Sequence, residues 1–197
     1  MKRVLVIGAT GLLGKAITSK FGSDIDVIQA SRNSSEYAVD LANPQSLQAL
    51  FDNVGIVDAI VCTAGVAEFK PFAQTQDSDW QFGIENKMMG QINVIRYGEK
   101  YLTQEGSIVL TTGVLAQSPM PGSAIVSAVN AAVEGAIRAL SLELEHIRIN
   151  AISPGWISET LTTLGMDASQ GIPASDVAQY YIDAINTSNS GDIIVAG

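Results

Sequence analysis

Gly8-Ala9-Thr10-Gly11-Leu12-Leu13-Gly14 decides how this chain is read. An apolar run, Val4-Leu5-Val6-Ile7, precedes it, and a stretch with helical periodicity follows. Glycines at such a junction have separate tasks. One permits a tight turn, another lets the backbone approach a ligand, and the last lets the helix pack closely on the strand. The helix start then offers unpaired N–H groups and the positive end of its dipole, which suit a pyrophosphate. A glycine triplet alone says little. Placed between a first strand and a first helix, it predicts a dinucleotide site built from Gly8, Thr10, Gly11, Leu12, Leu13 and Gly14.

The second strand ends in Gln29-Ala30-Ser31-Arg32-Asn33-Ser34-Ser35. An acidic residue there would accept bonds from the ribose 2′-hydroxyl of NAD. Arg32 among short polar side chains instead suits a 2′-phosphate, by charge and by hydrogen bonds. Ser31, Arg32, Asn33 and Ser34 are therefore the candidate 2′-phosphate loop. NADP(H) is the preferred cofactor, with NAD(H) possible.

Beyond these stretches, short apolar runs alternate with helical patterns. Val4–Ile7, Val27–Gln29, Ala59–Cys62, Ile108–Leu110, Ile147–Ile152 and Ile193–Val195 read as strands. Their continuous apolar character fits parallel strands buried on both faces. Helices fit between them, at about 12–22, 44–53, 79–103, 123–145 and 174–187. The alternation predicts an α/β fold: a Rossmann-type, doubly wound parallel sheet in three α/β/α layers, one domain over 1–197. The 197 residues and 47% hydrophobic content suit one such core. A net charge of -9 argues against nucleic-acid and anionic-membrane partners. One cysteine and one histidine give no disulfide framework, metal site or histidine-based triad. The apolar start reads as a buried strand rather than a leader, and no apolar stretch looks long enough to cross a bilayer. The expected location is cytoplasmic.

With those features in place, the chain resembles the short-chain dehydrogenase/reductase family over nearly its whole length. Val39-Asp40-Leu41 looks like the family's adenine-contacting stretch, and Cys62-Thr63-Ala64-Gly65 like its Asn-Asn-Ala-Gly motif. Gly106-Ser107-Ile108-Val109 is similar to the approach to the catalytic serine. Ser127-Ala128 with Ala131-Ala132-Val133-Glu134-Gly135 resembles the surroundings of the Tyr-x-x-x-Lys helix. Ile149 to Ile157, with Ser153-Pro154-Gly155, resembles the stretch that closes over nicotinamide. The resemblance implies strand order 3-2-1-4-5-6-7. It also implies cofactor contacts from Asp40, Leu41, Thr63, Ala64, Gly65, Lys87, Thr111, Pro154, Gly155 and Ile157, and a homodimer or homotetramer.

The family's catalytic set is not intact in this alignment. Val126 stands at the tyrosine position and Asn130 at the lysine position. Gly113 stands at the serine position, with Thr112 just before it. Lys87 stands at the helix asparagine position, three residues before Gly90. Lysine and asparagine are thus exchanged. The candidate catalytic residues are Lys87, Thr112 and Asn130. Loss of a general acid should cost roughly a hundred- to ten-thousand-fold in rate, unless a buried lysine takes over the proton. The substrate lid is expected to be short, near 159–170. Glu159 stands at the family's lid threonine position and Thr160 one place late. The leading expectation is an NADP(H)-dependent reductase for a small carbonyl or alcohol. The alternatives are a non-catalytic NADP(H) sensor or scaffold and, more weakly, an isomerase or epimerase.

Overall fold

Val4, Leu5, Val6 and Ile7 are all fully buried, yet they enter two different cores. They belong to the first strand, β1 (Lys2–Ile7), in a computed structural model that describes residues 1–34 and 36–197. Because side chains alternate along a strand, Leu5 and Ile7 face one side and Val4 and Val6 the other. The remaining strands are β2 (Ile25–Ala30), β3 (Val57–Cys62), β4 (Leu102–Thr111), β5 (Arg148–Pro154) and β6 (Ile193–Ala196). All pair in parallel, in the order β2-β1-β3-β4-β5-β6.

On the Leu5 face, Leu47 and Phe51 of α2 (Pro44–Val54) meet Val94 and Ile95 of α4 (Gly90–Gly98). Val133 and Ile137 of α5 (Ala124–Glu143) complete that layer. The opposite face is covered by Ile17 of α1 (Leu12–Lys20) and by Val177, Tyr181 and Ile185 of α7 (Ala174–Asn186). Two further helices, α3 (Asp77–Gly83) and α6 (Ser158–Thr163), flank the carboxyl-end loops. Local chemistry marks several boundaries. Asn43 caps α2 by accepting from the N–H groups of Gln45 and Ser46, with Pro44 in the first turn. Pro173 precedes α7.

The structure departs from the sequence expectations in four places. The seventh strand is absent among the described residues. After β2 the chain makes one isolated bridge, Ser31 to Ala38, and then turns at Asp40 into α2. The single helix expected over 79–103 is α3, a π-helical segment Ile84–Met89, α4 and a short 3-10 turn, and Leu102 already starts β4. The span near 159–170 is not plain loop: it holds α6 and a 3-10 turn at Ala168–Gln170. Finally, α5 is by length and composition apolar enough to cross a membrane, with 20 residues and a mean hydropathy of 1.4 over an 18-residue stretch. Here Ile125, Val129, Val133 and Ile137 are turned into the protein.

Candidate cofactor and active site

The sheet order reverses beside β1, which has β2 on one side and β3 on the other. In open parallel sheets that reversal opens a crevice at the carboxyl ends of the strands. Gly8 leaves β1 there at φ 91°, a left-handed conformation that favours glycine. Its N–H and that of Ala9 both donate to Ala30 O, at 2.8 and 3.1 Å. A Cβ on Gly8 would lie 2.7 Å from Thr63 Oγ1, and one on Gly14 would lie 2.1 Å from Gly8 O. The turn therefore presents bare backbone to the crevice. No side chain caps α1, so its first N–H groups remain open to a ligand.

A cleft of about 330 Å³ runs from this turn toward the end of β2. Thr10, Gly11, Arg32, Asn33, Leu41 and Gly65 are among its walls. Arg32 Nη2 donates to Asn86 Oδ1 at 3.3 Å and lies 3.8 Å from Asp40 Oδ1, with much of the side chain exposed. Ser31 Oγ is buried in this cleft without a hydrogen-bond partner. Ser34 Oγ accepts from the N–H groups of Glu36 and Tyr37, which shapes the loop. Ser35 lies outside the described residues. Asp40 accepts from Ala42 N–H. The bare backbone, an unpartnered buried hydroxyl and an exposed guanidinium form a donor set that fits a phosphorylated dinucleotide.

The π-helical segment explains how two successive residues both reach the site. A π turn is wider than an α turn, and Asn86 and Lys87 are both buried. Asn86 holds Arg32, while Lys87 Nζ donates to Thr111 O at 2.6 Å. Burial pushes the Lys87 amine down to about 8, with the nearby Cys62 acting weakly in the opposite direction. Gly65 makes room for this lysine, since a Cβ there would lie 2.7 Å from Lys87 Cδ.

Lys87, Thr112, Val126 and Asn130 come together around a cavity of about 260 Å³, which shares Gly65 and Val66 with the first cleft. Val126 and Asn130 lie one turn apart on α5. Asn130 Oδ1 is buried without a partner, and its amide nitrogen would lie 3.2 Å from a Cβ on Gly113. Thr112 Oγ1 donates to Glu134 Oε1 at 3.1 Å. Glu134 is itself buried, bonded by Gln117 and 3.5 Å from Arg138 Nη2. Thr111 turns its hydroxyl into the core, toward Cys62 O and Tyr181, and only its carbonyl reaches the site.

The stretch after β5 forms the far wall. Pro154, Gly155, Ile157 and Thr160 line a third pocket of about 240 Å³, shared with Thr112, Val126 and Asn130. Glu159 is directed elsewhere: its carboxylate caps α7 by accepting from Ala174 N–H. The residue one place late, Thr160, is the one that faces the pocket. Leu12 is exposed at the helix start, while Leu13 packs inward. Sequence reasoning did not single out Asn86, Gln117 or the role of Glu134. A buried polar residue gives no pattern in a sequence. The only available signal was a carboxylate within the apolar run of α5.

Comparisons with known proteins agree with this geometry. A family profile described as Enoyl-(Acyl carrier protein) reductase matches residues 13–190. A short-chain dehydrogenase/reductase, ATR9, from Stachybotrys chlorohalonatus is 24% identical over 98% of this chain and 93% of its own length. The crystal structure of lin1944 from Listeria innocua superposes with a TM-score of 0.95 at 30% identity, covering 100% of both chains. A small-chain dehydrogenase solved in complex with NADPH superposes with a TM-score of 0.88 at 27% identity, covering 99% of this chain and 96% of the other.

Proposed function

The chain belongs to the short-chain dehydrogenase/reductase family, and from that premise we propose that it is an NADP(H)-dependent oxidoreductase that interconverts a carbonyl compound and its alcohol through a rearranged active site. The observation that carries this reading is spatial continuity. The Arg32 cleft meets the cavity of Lys87, Thr112 and Asn130 at Gly65 and Val66. A relative of the same fold was solved with NADPH, which supports the cofactor. In this reading the Gly8–Gly14 turn holds the pyrophosphate and Ser31, Arg32, Asn33 and Ser34 surround the 2′-phosphate. Asp40 and Leu41 border the adenine. Thr63, Ala64 and Gly65 line the middle of the cofactor, and Pro154, Gly155 and Ile157 the nicotinamide end.

Bound NADPH supplies a hydride. The substrate oxygen then needs a proton, which valine at 126 cannot give. Lys87 takes that part, because an amine held near 8 gives up and regains a proton close to neutral pH. Thr112 has already committed its proton to Glu134, so its oxygen accepts bonds from an alcohol or from Lys87. Asn130 offers its unpaired Oδ1 as a second acceptor. A homo-oligomer in the cytosol is part of the same proposal.

Titration with NADPH and NADH tests the cofactor assignment. NADPH should bind more tightly, and Arg32→Ala should remove most of the difference. Absence of saturable binding at millimolar levels would end the proposal. Carbonyl-dependent NADPH oxidation tests the chemistry, and Lys87→Met should abolish it. One observation favours a second reading, a sensor without turnover. None of the five tyrosines lines the described cleft or either cavity. Tight NADPH binding with a silent carbonyl screen would select it.

A further inference from the structure

Lys87 is the one buried lysine of the six in the chain, and it is buried without a counter-ion. Among the described residues no carboxylate lies within ion-pair distance of its amine. Glu134, a buried acid of the same site, is held instead by Thr112, Gln117 and Arg138. The amine's own partner is a neutral carbonyl, Thr111 O. A buried cation so placed is costly, which favours the neutral form. An amine near 8 is about one-quarter neutral at a pH of about 7.5, against about a thousandth for an ordinary lysine. A neutral amine that gives one hydrogen to Thr111 O keeps a second hydrogen and a lone pair.

The cavity around it is accessible. Gly65, Val66 and Ala67 form one wall, and Val66 reaches water at 53% exposure. Thr112, Val126 and Asn130 form the other wall. Its two polar side chains each hold an acceptor that lacks a donor. Asn130 Oδ1 is buried without a partner, and Thr112 Oγ1 has given its proton to Glu134. A carbonyl oxygen satisfies neither acceptor, because it only accepts. A hydroxyl and an N–H borne on one carbon would supply both.

We propose that Lys87 is a nucleophile that condenses reversibly with small aldehydes and holds them in this cavity as an imine. The Nζ lone pair forms a bond to the carbonyl carbon, and the π pair of the C=O bond moves to oxygen. A proton passes from nitrogen to that oxygen, giving a carbinolamine whose hydroxyl donates to Asn130 Oδ1 or Thr112 Oγ1. The hydroxyl then leaves with the nitrogen's remaining proton as water, and the C=N bond forms; water reverses each step. No oxidant, reductant or cofactor is consumed. The activity goes beyond the oxidoreductase reading and does not depend on it. In reduction the charged amine faces the carbonyl oxygen, whereas here the neutral amine attacks the carbon.

The test uses the full chain, propanal as probe and sodium cyanoborohydride, which reduces an imine to a stable secondary amine. After brief reaction at a pH of about 7.5, mass spectrometry of the digested chain locates the label. Lys87 should be labelled at least tenfold faster than any of the five other lysines, although each of those is more exposed. Asn130→Leu, which removes an acceptor for the carbinolamine, should slow labelling at Lys87 and leave the surface lysines unchanged. Any surface lysine outpacing Lys87 in the folded, unmodified chain would overturn the proposal, and that comparison needs no variant to fold. An NADPH titration of the same chain separates the two readings. Normal NADPH binding beside surface-first labelling ends the imine alone. Labelling led by Lys87 with no NADPH binding upholds the imine and ends the cofactor reading.

Discussion

Lys87 stands almost without water, and its amine titrates near 8 rather than at the ordinary 10.5. A displacement of that size corresponds to about 3 kcal/mol between the charged and neutral forms. Below about pH 8 both folded and unfolded chains hold the proton, and the full cost of burying the charge is present. Between 8 and 10.5 the unfolded chain holds more protons than the folded one, so stability rises with pH and the cost disappears. Lys87→Met should therefore raise the melting temperature at pH 7, by up to about 3 kcal/mol in stability. The advantage should shrink toward pH 10. Melting curves of both proteins across pH check this; a constant difference would mean the amine is not desolvated. Under the proposed role of Lys87 as proton carrier, the same titration gives the two directions of the reaction opposite pH dependence. Carbonyl reduction, which needs the protonated amine, should fall as pH rises through about 8, and alcohol oxidation should rise.

Two helices show what the sequence made legible at the level of elements. Gly8, Gly11 and Gly14 announced β1 and α1 because close backbone approach requires glycine, and that requirement is visible in letters. Arg32 announced its loop in the same way. The π segment at Ile84–Met89 was not legible, because one extra residue per turn leaves no signature in apolar spacing. Lys87 could be named from its distance to Gly90, but not the fact that Asn86 beside it would hold Arg32. The missing edge strand was likewise hidden: its apolar residues Val39 and Leu41 are buried, as in a strand, but among the described residues a single bridge, Ser31 to Ala38, is all that joins this segment to the chain after β2. Helical glycines provide a direct test of close approach. Gly135 has nothing within 4 Å of an added Cβ, so Gly135→Ala should stabilise α5 by roughly 0.5–1 kcal/mol. Gly14→Ala, meeting Gly8 O at 2.1 Å, should destabilise by more than about 1 kcal/mol and disturb the turn. Urea titrations of both variants decide. On α5, Glu134→Ala strips acceptors from Thr112 and Gln117 and should cost about 1–3 kcal/mol, whereas Glu134→Gln should cost less.

At the scale of the molecule, the sheet keeps two apolar cores on its two faces, and the crevice at its carboxyl edge draws walls from both halves of the chain. The first half contributes the turn after β1, the Arg32 loop and Gly65; the second contributes Thr112, Asn130 and the stretch from Pro154 to Thr160. A ligand spanning that crevice binds the folded chain and has no comparable site in the unfolded one. Mass action then fixes the effect: at one hundred times its Kd, NADPH should add about 2.7 kcal/mol to the unfolding free energy. Because the walls share one sheet, the shift should move a single cooperative transition rather than split it. NADH, lacking the 2′-phosphate, should give a smaller shift at equal concentration. Arg32→Ala should bring the two shifts together by lowering the NADPH one, since the substitution removes an exposed guanidinium and leaves both cores intact. Thermal unfolding at matched NADPH and NADH concentrations measures all of this. Equal shifts for the two nucleotides in the unmodified chain would show that the loop after β2 does not read the 2′-phosphate.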